Sequence, residues 1–220
     1  MSHVIIIGGG AAGMMAAIAA AGAGHKVCIY EKNEKLGKKI YITGKGRCNV
    51  TNACDTEELF RNVVHNAKFL YSSFYTFTNT DVMDLIEKHG CLLKTERGGR
   101  VFPVSDKSSD VIHALTVALR ELGVEVELHE EVSGVLAEDG HVSGVRLKRG
   151  QKVVPADAVI VTTGGLSYPS TGSTGDGYRF ATELGHTITE LSPALVPFEA
   201  KEAVCKDLQG LSLRNIRSEE

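Results

Sequence analysis

Gly8-x-Gly10-x-x-Gly13, followed by Glu31, is the set of residues in this chain whose types and spacing first suggest chemistry. A pyrophosphate needs N–H donors and a backbone it can approach closely. Gly8 permits a tight turn, Gly10 has no Cβ to hold a diphosphate away, and Gly13 lets the next helix lie close on a sheet. Ala12 falls in the first turn of that helix, where unpaired N–H groups and a partial positive charge favour a phosphate by about 0.3–1 kcal/mol. Glu31 is placed to accept hydrogen bonds from a ribose. An acid there, rather than a base, fits an unphosphorylated adenosine ribose, and so FAD or NAD rather than NADP.

The elements that must position these residues are legible. Residues 4–7 are apolar and β-branched, too short a run for a helix, and predict a buried parallel strand. Ala- and Met-rich sequence to Ala23 predicts a helix, with Ala17 one turn beyond Gly13 on the same face. Residues 27–30 predict a second strand ending at Glu31. Glycines are common in ordinary turns, but here strand, helix and acid fall in the register of a dinucleotide-binding βαβ unit.

Residues 32–52 carry six basic residues and one acid. Two readings are open: a solvated basic loop, or one whose Lys32 and Arg47 help neutralise a pyrophosphate. Gly46, Arg47, Cys48 and Asn49 form a hydrogen-bond-rich, glycine-flanked segment within it. Cys48 has no CxxC partner, which points to a buried structural thiol rather than a redox thiol.

Bulk properties bound the rest. A chain of 220 residues can bury a core without staples. The net charge of −3 gives no support for nucleic-acid or anionic-membrane partners, so neither is expected. The five scattered cysteines form no disulfide framework and no zinc spacing, so no metal is expected. The sequence enters a strand directly after His3, and its first apolar run is broken by glycine after four residues. The expectation is a soluble, cytoplasmic protein with no signal peptide or membrane span.

Further along, helices are predicted at about 56–64, 67–74 and 81–89, and strands at 91–94 and just before Pro103. Another helix is predicted over 105–122, capped by Ser105, Ser108 or Ser109 and with Leu122 on its apolar face. A strand follows at 124–128. From 131 to 155 the hydrophobic period becomes two, interrupted at Asp139-Gly140 and Arg149-Gly150, which spells a three-stranded antiparallel meander. Residues 158–162 read as a buried strand ending at Thr163-Gly164-Gly165, and 178–184 as a short helix. Asp176, before Gly177, is either a turn-stabilising acid or a ligand to a cofactor hydroxyl or substrate-side loop. His89 and His186, each next to a helix-ending glycine, are expected at the surface or as caps. The composition breaks near Pro197, and residues 211–213 resemble the start of a strand.

This order of elements resembles the FAD domain of the two-dinucleotide-binding-domain flavoproteins. Gly8, Gly10, Gly13, Ala17, Gly24, Val27 and Glu31 fit that superfamily's extended pattern, and Thr162-Thr163-Gly164-Gly165 matches its second fingerprint, with Thr162 in place of the usual Ala. Three stretches are more specific: residues 44–52 (GKGRCNVTN), 98–103 (GGRVFP) and 171–178 (TGSTGDGY). Together they resemble the bacterial BaiN-type NAD(P)/FAD-dependent oxidoreductases, also described as aminoacetone-oxidase-family FAD-binding enzymes.

The resemblance implies an α/β fold: a Rossmann-like FAD-binding domain with a parallel central sheet, a helical insertion and a three-stranded antiparallel β-meander. It implies that Val132 opens the meander beside an adenine, and that Gly46, Arg47, Cys48 and Asn49 lie along the ribityl chain and ring. Relatives continue for about as much sequence again. The expected division is therefore an FAD-binding domain over 1–197 and, over 198–220, the start of a truncated inserted β-rich domain or a linker. The implied activity is hydride transfer between NAD(P)H and a small organic substrate by a flavin oxidoreductase. Its alternatives are an NAD-only dehydrogenase, an FAD-dependent tRNA-modifying protein and a non-catalytic FAD-binding module. The catalytic residues, the substrate and the oligomeric state are not specified by the sequence.

Overall fold

The computed structural model describes residues 1–193, 201–208 and 210–211. It divides into two compact units, Met1–Thr187 and Ile188–Glu220. The first opens with β1 (His3–Ile7), α1 (Ala11–Gly22) and β2 (Lys26–Glu31). After a 3₁₀ segment at Ile40–Gly46 come β3 (Thr51–Asn52), α2 (Thr56–Arg61), α3 (Tyr71–Thr76), α4 (Asn79–Lys88), β4 (Leu93–Thr95) and β5 (Arg100–Pro103). Then follow α5 (Ser108–Glu121), β6 (Glu125–Leu128), β7 (Val132–Glu138), β8 (His141–Leu147), β9 (Val153–Pro155), β10 (Ala158–Val161) and α6 (Asp176–Glu183). In the second unit the described residues contain α7 (Val204–Asp207), which no sequence signal announced. The composition break near Pro197 and the boundary expected there lie outside the described residues, as do Ser212 and Leu213 of the expected strand.

The parallel sheet runs β10-β1-β2-β6, with β1 at its centre. Both faces of β1 are covered, which is why its sequence is a continuous apolar run rather than an alternating one. Val4 and Ile6 pack into a cluster with Met14 and Ala17 of α1 and with Val111, Leu115 and Leu119 of α5. Ile5 and Ile7 face the other way, against Val132, Val145 and Leu147 of the meander and Phe180 of α6. The layers are therefore helices, parallel sheet, meander. The meander pairs β7-β8-β9 antiparallel, with Asp139 and Gly140 both at positive φ as a two-residue hairpin turn of this hand requires.

Several expected element ends move. Helix α5 begins at Ser108, not 105: Asp106 sits at φ 57°, outside helical space, and the residue preceding the helix is Lys107, with no side-chain cap. Leu122 lies beyond its last turn and is 41% exposed rather than on the apolar face. Helix α4 starts two residues early, at Asn79, because Thr78 and Asp81 form a reciprocal capping box. The expected helix over 67–74 is a 3₁₀ turn followed by α3. His89 caps α4, its Nδ1 2.7 Å from the Leu85 carbonyl, but its side chain is buried rather than at the surface. The two-residue strand β3 was invisible in the sequence; it joins β5 and β4 in a second antiparallel sheet.

Candidate functional site

Ile7, Gly8, Gly10, Ala12 and Glu31 meet at the carboxyl ends of β1 and β2 in a cleft of about 360 Å³. From β1 the chain goes to β2 on one side, while β10 lies on the other. Such a switch point is where open α/β sheets bind ligands. The third wall is Val161 to Gly164, together with Thr171, Gly172, Ser173 and Asp176. Val132 and Phe180 close the meander side.

Each glycine of the opening turn has a distinct geometry. Gly8 is at φ 103°, and a Cβ there would lie 2.7 Å from the Thr162 carbonyl oxygen. At Gly13 a Cβ would collide with the Gly8 carbonyl oxygen, so α1 lies against the turn only because that atom is missing. Gly10 is the opposite case: among the described residues a Cβ there would meet nothing within 4 Å. Its open side and the lining residues Ala11 and Ala12 present the start of α1, which has no side-chain cap. The first-turn N–H groups have no intrahelical partners.

Glu31 is 7% exposed and is held by three donors. The Gly9 N–H donates to its Oε2 at 2.6 Å, and the N–H and Nδ2 of Asn33 donate to its Oε1 at 2.8 and 2.7 Å. A carboxylate offers about four lone-pair directions, so about one, on Oε2, remains for a further donor.

The basic run reaches the cleft through its lysines. Lys32 Nζ donates to Asp176 Oδ2 and to Thr174 Oγ1, both at 2.7 Å. Burial alone would raise the Asp176 pKa, but the hydrogen bonds from Lys32 and Thr174 and the charges of Lys32 and Arg179 hold it below its ordinary value. Lys39 Nζ donates to the Ser167 carbonyl and to the buried Ser173 Oγ, both at 2.7 Å. Lys32, Lys38 and Lys39 all line the cleft.

Arg47 does not. Its guanidinium pairs with Glu96 and Asp106 and lies 4.1 Å over the Phe102 ring. Its charge, which the sequence offered to a pyrophosphate, is matched in the fold by two carboxylates on the β4–β5 side. Gly46, Cys48 and Asn49 are likewise not among the cleft residues, whereas Ile40 and Thr43, earlier in the same loop, are. Cys48 is buried, and burial pushes its thiol pKa up, which disfavours a reactive thiolate. The Asn49 side-chain amide faces the carbonyls of Thr51 at 3.0 Å and Val101 at 3.2 Å, two acceptors that only its nitrogen, placed toward them, satisfies. Thr163 and Gly164 line the cleft; Gly165 does not. The Thr163 Oγ1 is buried and, among the described residues, has no hydrogen-bond partner. Sequence reasoning did not single out Asn33, Lys39 or Ser173; Asn33 and Lys39 lie within the basic run and Ser173 within the 171–178 stretch, but nothing local marks each apart from its neighbours.

The HI0933-like protein Rossmann domain matches residues 2–219. The chain belongs to that family. HI0933-like proteins are FAD-dependent oxidoreductases, and this chain carries the Rossmann-type FAD-binding domain. It is 35% identical over 92% of its length to the 3-dehydro-bile acid delta(4,6)-reductase of Clostridium scindens, covering 48% of that protein. It is 31% identical over 94% of its length to the ribosomal RNA dihydrouridine synthase of Escherichia coli, covering 50% of it. The chain thus spans about half the length of these curated relatives. In fold it is similar to the 3-ketosteroid-delta4-(5alpha)-dehydrogenase of Rhodococcus jostii RHA1, with a TM-score of 0.63 and 16% identity, over 84% of this chain and 54% of that one.

The HI0933-like assignment leaves the cleft as the place to test for FAD. The residues fit its ADP moiety: space opposite Gly10, an uncapped helix start, and a buried acid with a lone pair to spare. No helix among the described residues is long and apolar enough to cross a membrane, and among them no cluster of His, Cys, Asp or Glu could hold a metal ion. The expectation of no nucleic-acid partner does not stand unqualified, because relatives are named for ribosomal RNA.

Proposed function

We propose that this chain is the FAD-binding part of a flavin-dependent reductase that moves hydride from NAD(P)H to a small organic substrate. The observation that carries the reading is the pairing, across one cleft, of an open Gly10 with a buried, partly satisfied Glu31. The Gly8–Gly10 turn and the start of α1 would hold the diphosphate, Glu31 would accept from the adenosine ribose, and Val132 would border the adenine. Thr163, Gly164 and the paired Lys32 and Asp176 would line the continuation of the cleft. Gly46, Arg47, Cys48 and Asn49 are assigned to the ribityl and ring end, and Gly165 to the cofactor through the second fingerprint, on resemblance alone. When bound, the flavin supplies the hydride chemistry, and protein groups orient and tune it.

The names of the bile acid reductase and the dihydrouridine synthase both describe reductions, which favours a reductase over an oxidase. A second reading takes a base in ribosomal RNA as the acceptor. It rests on the two relatives named for that substrate and stands against the acidic net charge.

The test is anaerobic reduction of the full-length protein reconstituted with FAD. Bleaching of the flavin by NADH or NADPH, and reoxidation by an unsaturated small molecule, is the expected result. Reoxidation only by a ribosomal RNA substrate would favour the second reading. Failure to retain FAD would overturn both.

A further inference from the structure

The geometry points to Asn33 as the positioning residue of the cleft: it aims the Glu31 carboxylate and fixes the wall opposite. This inference rests on the nucleotide-binding reading above and adds a residue to it. Every hydrogen-bonding group of Asn33 is engaged. Its N–H and Nδ2 both donate to Glu31 Oε1, at 2.8 and 2.7 Å. The same Nδ2 donates to the Thr171 carbonyl at 3.2 Å, 138 residues away in sequence. Its Oδ1 accepts from Lys38 Nζ at 3.3 Å, and its backbone carbonyl accepts from the His129 N–H at 3.1 Å. One side chain therefore joins the end of β2, the 171–173 wall and a cleft lysine.

The wall is shaped to meet it. Gly172 is at φ 97°, and a Cβ there would stand 2.6 Å from Asn33 Nδ2 and 3.2 Å from Lys32 Cε. With Oε1 occupied by Asn33 and one direction of Oε2 by Gly9, the remaining direction on Oε2 is fixed rather than free to rotate. Only an amide satisfies this arrangement. It donates to a carboxylate and a carbonyl and accepts from an ammonium, whereas an acid at this position would set an acceptor against two acceptors.

Asn33→Asp keeps the shape and inverts the chemistry. The charged groups facing the position are Glu31 and Lys38, with Glu34 beyond Lys38. Lys32 and Asp176 are paired with each other, Lys39 is bound to Ser167 and Ser173, and Glu130 and Glu131 line the meander side. Two acids in contact share one proton at a raised pKa, and the protonated partner can again donate.

The experiment is calorimetric titration of this chain and its Asn33→Asp and Asn33→Ala variants with ADP and with FAD, near pH 8 and near pH 5.5, with circular dichroism confirming the fold of each. Near pH 8 the Asp variant should bind ADP about 10–100-fold more weakly than the unaltered chain, the cost of losing a hydrogen bond to a charged group. That gap should narrow toward pH 5.5. The Ala variant should show a comparable loss with no such narrowing. A residue that merely fills space would be replaced by Asp without effect. Equal ADP affinity in the Asp variant and the unaltered chain at both pH values would overturn this inference and leave the nucleotide reading standing. If the Asp variant does not fold, unchanged affinity in the Ala variant overturns it instead. Absence of ADP and FAD binding by the unaltered chain would overturn the nucleotide reading, and this inference with it.

Discussion

The ammonium of Lys32 and the carboxylate of Asp176 lie 2.7 Å apart, although 144 residues separate them in the chain. Their side chains are only 25% and 20% exposed, so the pair is shielded more than a surface ion pair. It ties the residue after Glu31 to the first turn of α6 and so closes the cleft on one side.

Asp176→Asn should lower stability at neutral pH by roughly 1 kcal/mol, the upper part of the range for accessible pairs. The folded-state pKa of Asp176 lies below its ordinary value of 3.8. Its contribution is therefore fully present above that value and is lost as pH falls through the lower folded-state pKa. Urea unfolding at neutral pH and at about pH 3 checks this: the difference between the unaltered chain and the variant should shrink in acid. A constant difference would mean that the carboxylate's charge is not what stabilises the fold.

Gly10→Glu and Gly13→Ala should fail for opposite reasons. A side chain at Gly10 projects into open space, so the first variant should melt within about 0.5 kcal/mol of the unaltered chain and bind no ADP. A methyl at Gly13 collides with the Gly8 carbonyl, which is backbone and cannot rotate away. The second variant should lose about 1–3 kcal/mol as α1 is pushed off the sheet. Thermal melts paired with ADP titrations separate the two outcomes.

Glu31→Ala should destabilise the chain even without nucleotide. It leaves the buried Gly9 N–H and two donors of Asn33 without their acceptor. A loss of about 1.5–3 kcal/mol is expected in the apo state, together with weaker ADP binding. A lowered ADP affinity with unchanged apo stability would show that the three hydrogen bonds contribute little to folding.

Arg47→Met should leave ADP affinity unchanged while lowering the melting temperature. The guanidinium is shared between Glu96 and Asp106 and stacked on Phe102, away from the cleft lining. Its removal leaves Glu96 and Asp106 facing each other, with Lys94 as their remaining nearby partner. Both carboxylates are held below their ordinary pKa in the folded chain, first by hydrogen bonds from Arg47 to Glu96 and from Lys94 and Arg47 to Asp106. A marked drop in ADP affinity would restore a direct role for Arg47 at the nucleotide.

How much of this was legible before folding depends on the range of the interaction. The βαβ unit could be read because its causes are local. Period and β-branching make β1 and β2, and the glycine spacing makes the turn. The meander could be read because a change of period and an Asp-Gly turn lie within a few residues of each other. Helix α5 could be read from its apolar face, but not its start, since Ser105 is a good cap by type and only the left-handed Asp106 keeps the helix from beginning there. The site splits in the same way. Gly8, Gly10, Ala12 and Glu31 were found from spacing, and they line the cleft. Arg47 was placed by its charge and its neighbours in sequence, and its carboxylate partners come from β4–β5 and its flank.

The sequence alone determined the β1–α1–β2 unit, the meander and the apolar face of α5, that the first thirty residues form a nucleotide-type turn, and that both faces of β1 must be covered. These follow from residue type acting on nearest neighbours. Only the tertiary structure decided which side chains share the cleft. Asn33 meets Thr171, Lys32 meets Asp176, and Lys39 meets Ser173 because β10 returns beside β1 and carries the 162–176 segment across from β2. Hydrogen bonds of that range depend on where the sheet places its strand ends, which no local pattern of residues encodes.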